Sequence, residues 1–192
     1  MKKVMLIGDS IRMGYQAGVT QLLSNLASVQ GPDENCRFSA YTLFHLATWM
    51  SDDDYDVVHW NNGLWDTSRM PDGKIHTPLA MYLEFHDRIA SILLKKTKRL
   101  IFATTTPVWP EQFTSGSIRP RDNADIRAYN HAAAELHRKN GIAINDLHTL
   151  ISADIKHFVS EDMIHLTPAG NEVCANRVAS CIADNLGDNL GT

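Results

Sequence analysis

Short apolar runs alternate with longer segments of helical period along the chain, and this alternation limits the fold more than any other feature. Between the runs, apolar residues recur at spacings near 3.6, which is typical of amphipathic helices. Strands that alternate with helices form parallel sheets, because each crossover returns the chain to the same edge. The runs that predict buried strands are Val4–Ile7, Val57–Trp60, Leu100–Ala103 and Ile142–Ile144.

One more strand, the second along the chain, is expected near Cys36–Ala40, ahead of a helix over Thr42–Met50. The pattern then predicts an α/β fold of three layers, α/β/α, around a central, mostly parallel five-stranded sheet. A chain of 192 residues fits one domain, so we assign residues 1–192 to a single domain. Ligands of such sheets bind at the carboxyl ends of the strands, and we sought reactive residues there. We expect the last residues, Asp184–Thr192, to form a frayed tail.

Charge and composition exclude several classes of partner. The net charge is −4 and like charges form no long block, which argues against nucleic acid as the main partner. No apolar stretch approaches the roughly 20 residues of a membrane span. Three cysteines, an odd set, indicate free thiols in a reducing compartment, so we expect a cytoplasmic protein. A homo-oligomer is compatible with this composition.

No bound cofactor or metal is predicted. The sequence has neither a glycine-rich dinucleotide motif nor a P-loop. The run Asp52–Asp54 is more typical of a solvated turn than of a cation site. Six histidines show no common metal-ligand spacing, and we interpret them as structural or surface residues: His45, His59, His86, His131, His137 and His148.

The first strand ends in Gly8-Asp9-Ser10, directly before an amphipathic segment. Ser10 would therefore lie where a strand turns into a helix, with its N–H at the positive end of the helix dipole. Acyl-transfer chemistry favours a nucleophile in that position. The alternative is that Asp9 or Ser10 only caps the helix.

A serine nucleophile needs a base and an orienting carboxylate. We weigh two pairs in which an aspartate stands three residues before a histidine, Asp154 with His157 and Asp162 with His165. The first pair lies in a predicted short helix, where such a contact is ordinary. The second lies in a loop, since Thr167 is a natural N-cap and Pro168 a natural first helical residue. We therefore prefer Asp162 and His165.

Together these motifs resemble the GDSL esterases of the SGNH hydrolase superfamily. The likeness rests on Gly8-Asp9-Ser10, on Gly63 and Asp66 after the third strand, and on Asp162-Met163-Ile164-His165 before Leu166-Thr167-Pro168-Ala169-Gly170. It spans nearly the whole chain and implies a flavodoxin-like sheet order. It also implies a catalytic triad of Ser10, Asp162 and His165.

The resemblance further implies an oxyanion hole with three donors. Two are the N–H of Ser10 and that of a residue after the second strand, which here is Ala40. The third is an asparagine side chain, but Trp65 occupies its place in the motif. Asn62 is our first substitute and Asn61 our second, while the alternative is that Asn-Asn-Gly only makes a turn.

The resemblance implies an esterase without a cofactor, acting on a short acyl group, most simply acetyl, of a carbohydrate or small molecule. A lysophospholipase or thioesterase is the alternative within the enzyme class, and an inactive binding module on the same fold is the alternative outside it. Near the predicted cleft, Asp9, Trp65 and Trp109 are candidate substrate-binding residues. Core packing is the other interpretation of Trp65.

Overall fold

A computed structural model of the chain describes residues 1–50, 54–109 and 120–187. Its centre is a sheet of five parallel strands, β1 (Lys2–Ile7), β2 (Ala27–Gln30), β3 (Val57–Trp60), β4 (Leu100–Ala103) and β5 (Ala143–Asn145). Their order in the sheet is β2-β1-β3-β4-β5. This confirms the predicted sheet and gives it the flavodoxin-like order.

Helices cover both faces of the sheet, so the predicted three-layer α/β/α architecture is confirmed. Among the described residues the helices are α1 (Ser10–Leu22), α2 (Ser39–Trp49), α3 (Leu79–Leu93), α4 (Asn123–Lys139), α5 (Leu147–Ser152), α6 (Ile155–Phe158) and α7 (Pro168–Leu186). One core cluster packs α1, α5, α6 and α7 on one face, and a second packs α2 and α3 with part of α4 on the other.

The predicted position of the second strand is wrong. The strand is Ala27–Gln30, and Ser39 already begins a helix that was expected to start at Thr42. This strand lies at the edge of the sheet and buries only Ala27 fully, so it lacks a continuous apolar run. The expected tail is also partly helical, since α7 continues to Leu186. Residues 188–192 lie outside the described part.

The ends of β1 and β3 bring the Gly8-Asp9-Ser10 motif and the turn after β3 together. Ile7 is paired with Trp60 in the parallel register, and the Asn61 N–H donates to the Ile7 carbonyl at 3.0 Å. Gly8, two residues before Ser10, and Asn61 are therefore neighbours just beyond the end of the sheet. The fold places the start of α1 beside the Asn-Asn-Gly turn.

Three histidines are completely enclosed in the core, as expected for structural residues. His86 Nδ1 lies 3.1 Å from His137 Nε2, and His59 Nε2 lies 3.1 Å from Asn145 Nδ2. Burial lowers the pKa of His59 to about 3 and that of His137 to about 4. Burial, with a smaller effect of His137, also holds the pKa of His86 well below its usual value. All three imidazoles are therefore neutral in the folded protein near neutral pH.

These histidines should make the protein less stable in mild acid. In the unfolded chain each of these histidines takes up a proton below about pH 6.5. In the folded protein the same imidazoles stay neutral until the pH is far lower. Their stabilisation is thus complete above about pH 6.5 and is lost as the pH falls. We expect the free energy of unfolding, from urea titrations, to drop by about 2 kcal/mol or more between pH 7 and pH 5.

Two buried carboxyl groups oppose this trend. Burial raises the pKa of Asp9 to about 6 and also raises that of Asp66, so both favour the folded state as the pH falls. Three histidines outweigh two carboxyl groups in our expectation. Equal stability at the two pH values would contradict it, as would imidazolium signals from His86 or His137 at pH 5 in nitrogen-15 spectra.

The three cysteines are free thiols, as predicted, with Cys36 and Cys174 buried and Cys181 half-buried. Burial raises the pKa of Cys36 to about 11 and that of Cys174 to about 12.

Within the ranges that the structure describes, no helix is long and apolar enough to cross a membrane.

Candidate active site

Ser10 is the first residue of α1, directly after the strand β1 and the turn at Gly8. Asp9 is the N-cap, and its Oδ1 accepts the Ile11 N–H at 3.0 Å. The cap thus serves the second N–H of the helix. The hydroxyl of Ser10 is left at the carboxyl edge of the sheet, where sequence reasoning expected it.

His165 lies in a tight loop before α7. The Ser160 N–H donates to the His165 carbonyl, and the Met163 N–H donates to Ser160. Met163 adopts a positive φ of 72°, which closes the turn. Thr167 caps α7 and Pro168 is its first residue, as predicted. Gly170 is needed in the first turn of α7, because a Cβ there would clash with the Phe158 carbonyl.

The loop brings His165 onto Ser10 from the other end of the chain. His165 Nε2 lies 2.9 Å from Ser10 Oγ, and His165 Nδ1 lies 2.6 Å from Asp162 Oδ2. Because the carboxylate accepts from Nδ1–H, we assign the neutral tautomer with Nε2 free to accept a proton. The three side chains form one continuous hydrogen-bonded chain.

Asp162 is held in its ionised form. Burial would raise its pKa, but hydrogen bonds from the Ile164 and His165 N–H groups, the imidazole and the Ser160 hydroxyl outweigh it, and the pKa stays well below its usual value. The side chain is half-exposed, so solvent also stabilises the charge. Asp162 can therefore orient the imidazole and stabilise an imidazolium.

The second pair of candidates, Asp154 and His157, does not form such a chain. Asp154 caps the short helix α6 by accepting the His157 backbone N–H at 3.3 Å. This is the ordinary local contact that its position in a helix predicted.

Asp9 does not have the role that we predicted for it. Its side chain has no exposed surface, so it cannot contact a substrate, and the prediction of a substrate-binding residue is wrong. Burial raises its pKa to about 6, against the opposing effects of the Ile11 N–H, Arg121 and His165. Asp9 instead caps α1 beneath the nucleophile.

Two backbone N–H groups are left open by the way the helices are capped. Since Asp9 takes the Ile11 N–H, the Ser10 N–H has no partner among the described residues. The buried Asp66 carboxylate takes both the N–H of Ser39, at 3.1 Å, and its O–H, at 2.6 Å. The Ala40 N–H is the next donor in α2 and is likewise unpaired in the described part of the chain.

Asn62 is not available as the third donor, so our first prediction for it is wrong. The Trp60 Nε1–H donates to its Oδ1 at 2.7 Å, which fixes the orientation of the amide. Its two amide hydrogens are donated to the Arg37 carbonyl at 3.0 Å and to Thr42 Oγ1 at 2.9 Å. Asn62 ties the turn to α2 inside the core.

Asn61, the second choice, has the free amide. It lies against Gly8, since a Cβ added there would come within 2.9 Å of Asn61 Oδ1. Its Oδ1 is enclosed, but its Nδ2 keeps access to solvent and has no partner among the described residues. The Asn61 side chain thus lies beside the Gly8-Asp9-Ser10 turn, and its Nδ2 hydrogens are available to donate to a ligand.

Solved structures with the same architecture are acylhydrolases and esterases. A lipase/acylhydrolase from Enterococcus faecalis superposes with a TM-score of 0.79 at 19% identity, covering 96% of each chain. An acetyl xylan esterase, AlAXEase, gives 0.76 at 18% identity over 94% of this chain and 99% of its own. An acetylxylan esterase from Geobacillus stearothermophilus gives 0.73 at 16% identity over 100% and 96%. No protein-family model and no curated protein sequence matched the chain.

This chain has the same fold as these acylhydrolases and esterases. The likeness extends over nearly the full length of both partners in each comparison. The fold therefore agrees with the resemblance that the terminal motifs indicated.

The two tryptophans near the cleft are placed differently within this fold. Trp109 is partly exposed, and its backbone N–H donates to the Met163 carbonyl at 3.0 Å, so it borders the loop that carries His165. Trp65 is half-buried in the turn after β3, where its carbonyl accepts from Ser68. Both remain proposed substrate contacts.

Sequence reasoning missed Arg12, which is almost completely buried two residues after Ser10. Its guanidinium donates to the Gly8 carbonyl, to Gln16 and to the Glu34 carbonyl. It thereby joins the nucleophile turn to the segment that leads into α2. The position of Arg12 on α1 was visible, but nothing local marked a charged residue there as buried.

No group of three or more histidine, cysteine, aspartate or glutamate side chains could hold a metal ion in the described ranges. The arrangement that the site does offer is an oriented hydroxyl, a base and several unpaired N–H donors. That set can carry out acyl transfer to a serine oxygen.

Proposed function

We propose that this protein is a serine esterase that removes a short acyl group, most simply acetyl, from a carbohydrate or small-molecule ester. The observation that carries the proposal is the chain of hydrogen bonds from Ser10 through His165 to Asp162, at 2.9 and 2.6 Å. A hydroxyl in such a chain loses its proton as it attacks a carbonyl carbon.

In the first half of the reaction, Ser10 Oγ attacks the ester carbonyl and its proton passes to His165 Nε2. Asp162 stabilises the imidazolium that forms. As the tetrahedral intermediate collapses, the bond to the alcohol breaks, and His165 gives its proton to the departing oxygen. Ser10 is left as an acyl ester.

In the second half, water attacks the acyl-enzyme. His165 accepts the proton of the water, and the bond between Ser10 Oγ and the acyl carbon breaks with return of a proton to Oγ. The carboxylic acid leaves and the free enzyme is restored. No cofactor enters either half.

The negative oxygen of both intermediates would be bound by three donors. We assign the N–H groups of Ser10 and Ala40 and the side-chain amide of Asn61. Asn61 thus takes the part that the motif gives to an asparagine where this chain has Trp65. The replacement argues against an inactive binding module, because the donor is supplied from a nearby position.

The acyl preference can be tested with 4-nitrophenyl esters of two to twelve carbons. We expect kcat/KM to be highest for acetate and to fall at least tenfold by octanoate. Two of the compared structures are acetyl xylan esterases, and release of acetate from acetylated xylan is the corresponding test on a carbohydrate.

A kcat/KM that is highest for esters with long acyl chains would favour a lysophospholipase or thioesterase instead. Turnover of none of these esters above a Ser10→Ala sample would favour the inactive binding module. Each outcome replaces the proposed acyl group or the proposed reaction.

A further inference from the structure

The helix α2 carries aromatic side chains outside its fully buried positions, and one of them, Trp49, also packs against the edge of the core. The helix buries only Ser39, Thr42 and Leu46. Phe44 is 81% exposed, and among the described large apolar residues only Met1 is more exposed. We call the set Tyr41, Phe44, His45 and Trp49 the α2 aromatic face.

The rings of this face form an ordered column along the helix. The His45 ring centroid lies 4.2 Å from that of Tyr41 and 5.3 Å from that of Trp49, with which it is stacked at 21°. Phe44 meets His45 edge-on at 5.0 Å. The Arg37 guanidinium covers the Tyr41 ring at 4.6 Å. The Phe44 ring is therefore left open to solvent at the side of a fixed stack.

Glu34 holds the polar ends of the column. Its carboxylate accepts the Tyr41 hydroxyl at 2.7 Å and the Trp49 Nε1–H at 3.1 Å. These hydrogen bonds lower the pKa of Glu34, so the acceptor stays ionised. A surface whose rings are already held loses little side-chain freedom when a ligand binds.

Trp49 also forms one wall of a cleft of about 430 Å³ beside the edge strand β2. Gln16, Gln30 and Asp33 line the same cleft with amide and carboxylate groups. A cleft lined by both aromatic and hydrogen-bonding side chains suits a ligand that has both C–H faces and hydroxyl groups. Sugar rings have that chemistry.

The aromatic face is connected to the proposed triad through the start of α2. Ser39 is anchored to Asp66, and the Cys36 N–H donates to the Gly8 carbonyl at 3.1 Å. From there α2 extends about 16 Å along its 11 residues. A chain-like substrate could therefore have one unit at Ser10 and others along α2.

We propose that the α2 aromatic face and the adjoining cleft bind sugar units of a neutral polysaccharide while one of its acyl groups lies at Ser10. This inference rests on the proposed esterase function and extends it to a polymeric substrate. A second copy of the chain fits less well. One helix face of about 16 by 10 Å is far below the roughly 800 Å² per partner that stable protein interfaces bury.

Binding can be measured without catalysis in a Ser10→Ala background, by affinity electrophoresis through gels containing xylan. We expect the Ser10→Ala protein to be retarded and the added change Phe44→Ala to reduce the retardation constant at least fivefold. Leu94→Ala, at an apolar residue of α3's C-cap that is 47% exposed, is the matched control and should leave it unchanged.

With Ser10 intact, Phe44→Ala should lower the ratio of kcat/KM for acetylated xylo-oligosaccharides to kcat/KM for 4-nitrophenyl acetate at least fivefold. The ratio cancels any general loss of folded enzyme. If neither ester is hydrolysed, the proposed function fails, whereas the gel measurement still reports on the surface.

Two results would overturn the inference. One is a Ser10→Ala protein that xylan does not retard, or retards equally after Phe44→Ala. The other is a dimer in solution that Phe44→Ala converts to a monomer, because the face would then be an interface between two copies of the chain.

Discussion

Replacing Ser10 by alanine should lower kcat for 4-nitrophenyl acetate by about four to six orders of magnitude. The change removes the oxygen that attacks the carbonyl and leaves His165 and Asp162 with no nucleophile to activate. The N–H donors would remain, so only weak catalysis over water is expected. The rate of 4-nitrophenol release, measured at saturating ester, gives kcat directly.

A similar loss of kcat is expected when His165 of the triad is replaced, and no such loss when a residue outside the triad is replaced. His165→Ala should cost about as much as Ser10→Ala, and the double variant little more, because the two residues act in one step. Ser91→Ala, at an exposed serine of α3, is the matched control and should keep the rate within twofold. A fluorophosphonate should add to Ser10 in the intact protein, and hydrolysis that survives Ser10→Ala would exclude the proposed mechanism.

Replacing Asn61 by alanine should lower kcat by about two to three orders of magnitude and change KM little. The amide of Asn61 lies beside the nucleophile turn, and a donor there contributes mainly after charge has formed on the substrate oxygen. A loss confined to KM would assign Asn61 to substrate binding instead. Steady-state kinetics with 4-nitrophenyl acetate separates the two constants.

Asn62→Ala is the neighbouring comparison, with a different expected result. This side chain bonds Trp60, Arg37 and Thr42 inside the core, so its loss should lower the free energy of unfolding by about 1 to 3 kcal/mol. At a temperature well below the transition, kcat should fall far less than in Asn61→Ala. The reverse order of the two effects on kcat would return the donor role to Asn62.

The sequence was sufficient where burial follows a simple pattern. The three central strands, β1, β3 and β4, contain runs of fully buried residues because a parallel sheet covered on both faces has little room for polar side chains. The edge strand Ala27–Gln30 escaped prediction because only one of its positions is fully buried. Cys36–Ala40 was a poor substitute, since its polar residues instead lead into α2.

Local chemistry also marked the residues of the proposed triad. Ser10 follows a strand and begins a helix, and Thr167 with Pro168 places His165 in the loop just before α7. These signals lie within a few neighbouring residues. That is why reading along the chain could find them.

The choice between Asn61 and Asn62 as the oxyanion donor could not be made from neighbouring residues alone. Neighbouring residues in extended backbone point to opposite sides, so a shift of one position exchanges the core for the cleft. Asn62 faces the core, where Trp60, Arg37 and Thr42 occupy its amide. Two of these partners are 20 or more residues away in the sequence.

The alternation of strands and helices and the residue types at the ends of the central strands were therefore determined by the amino-acid sequence itself, through burial patterns and helix caps. Tertiary structure decided which polar side chains are already paired: Asn62 is fully bonded in the core, whereas the Asn61 Nδ2 has no partner among the described residues. The physical reason is that a buried hydrogen-bonding group must find a partner. In this fold that partner often comes from a distant part of the chain.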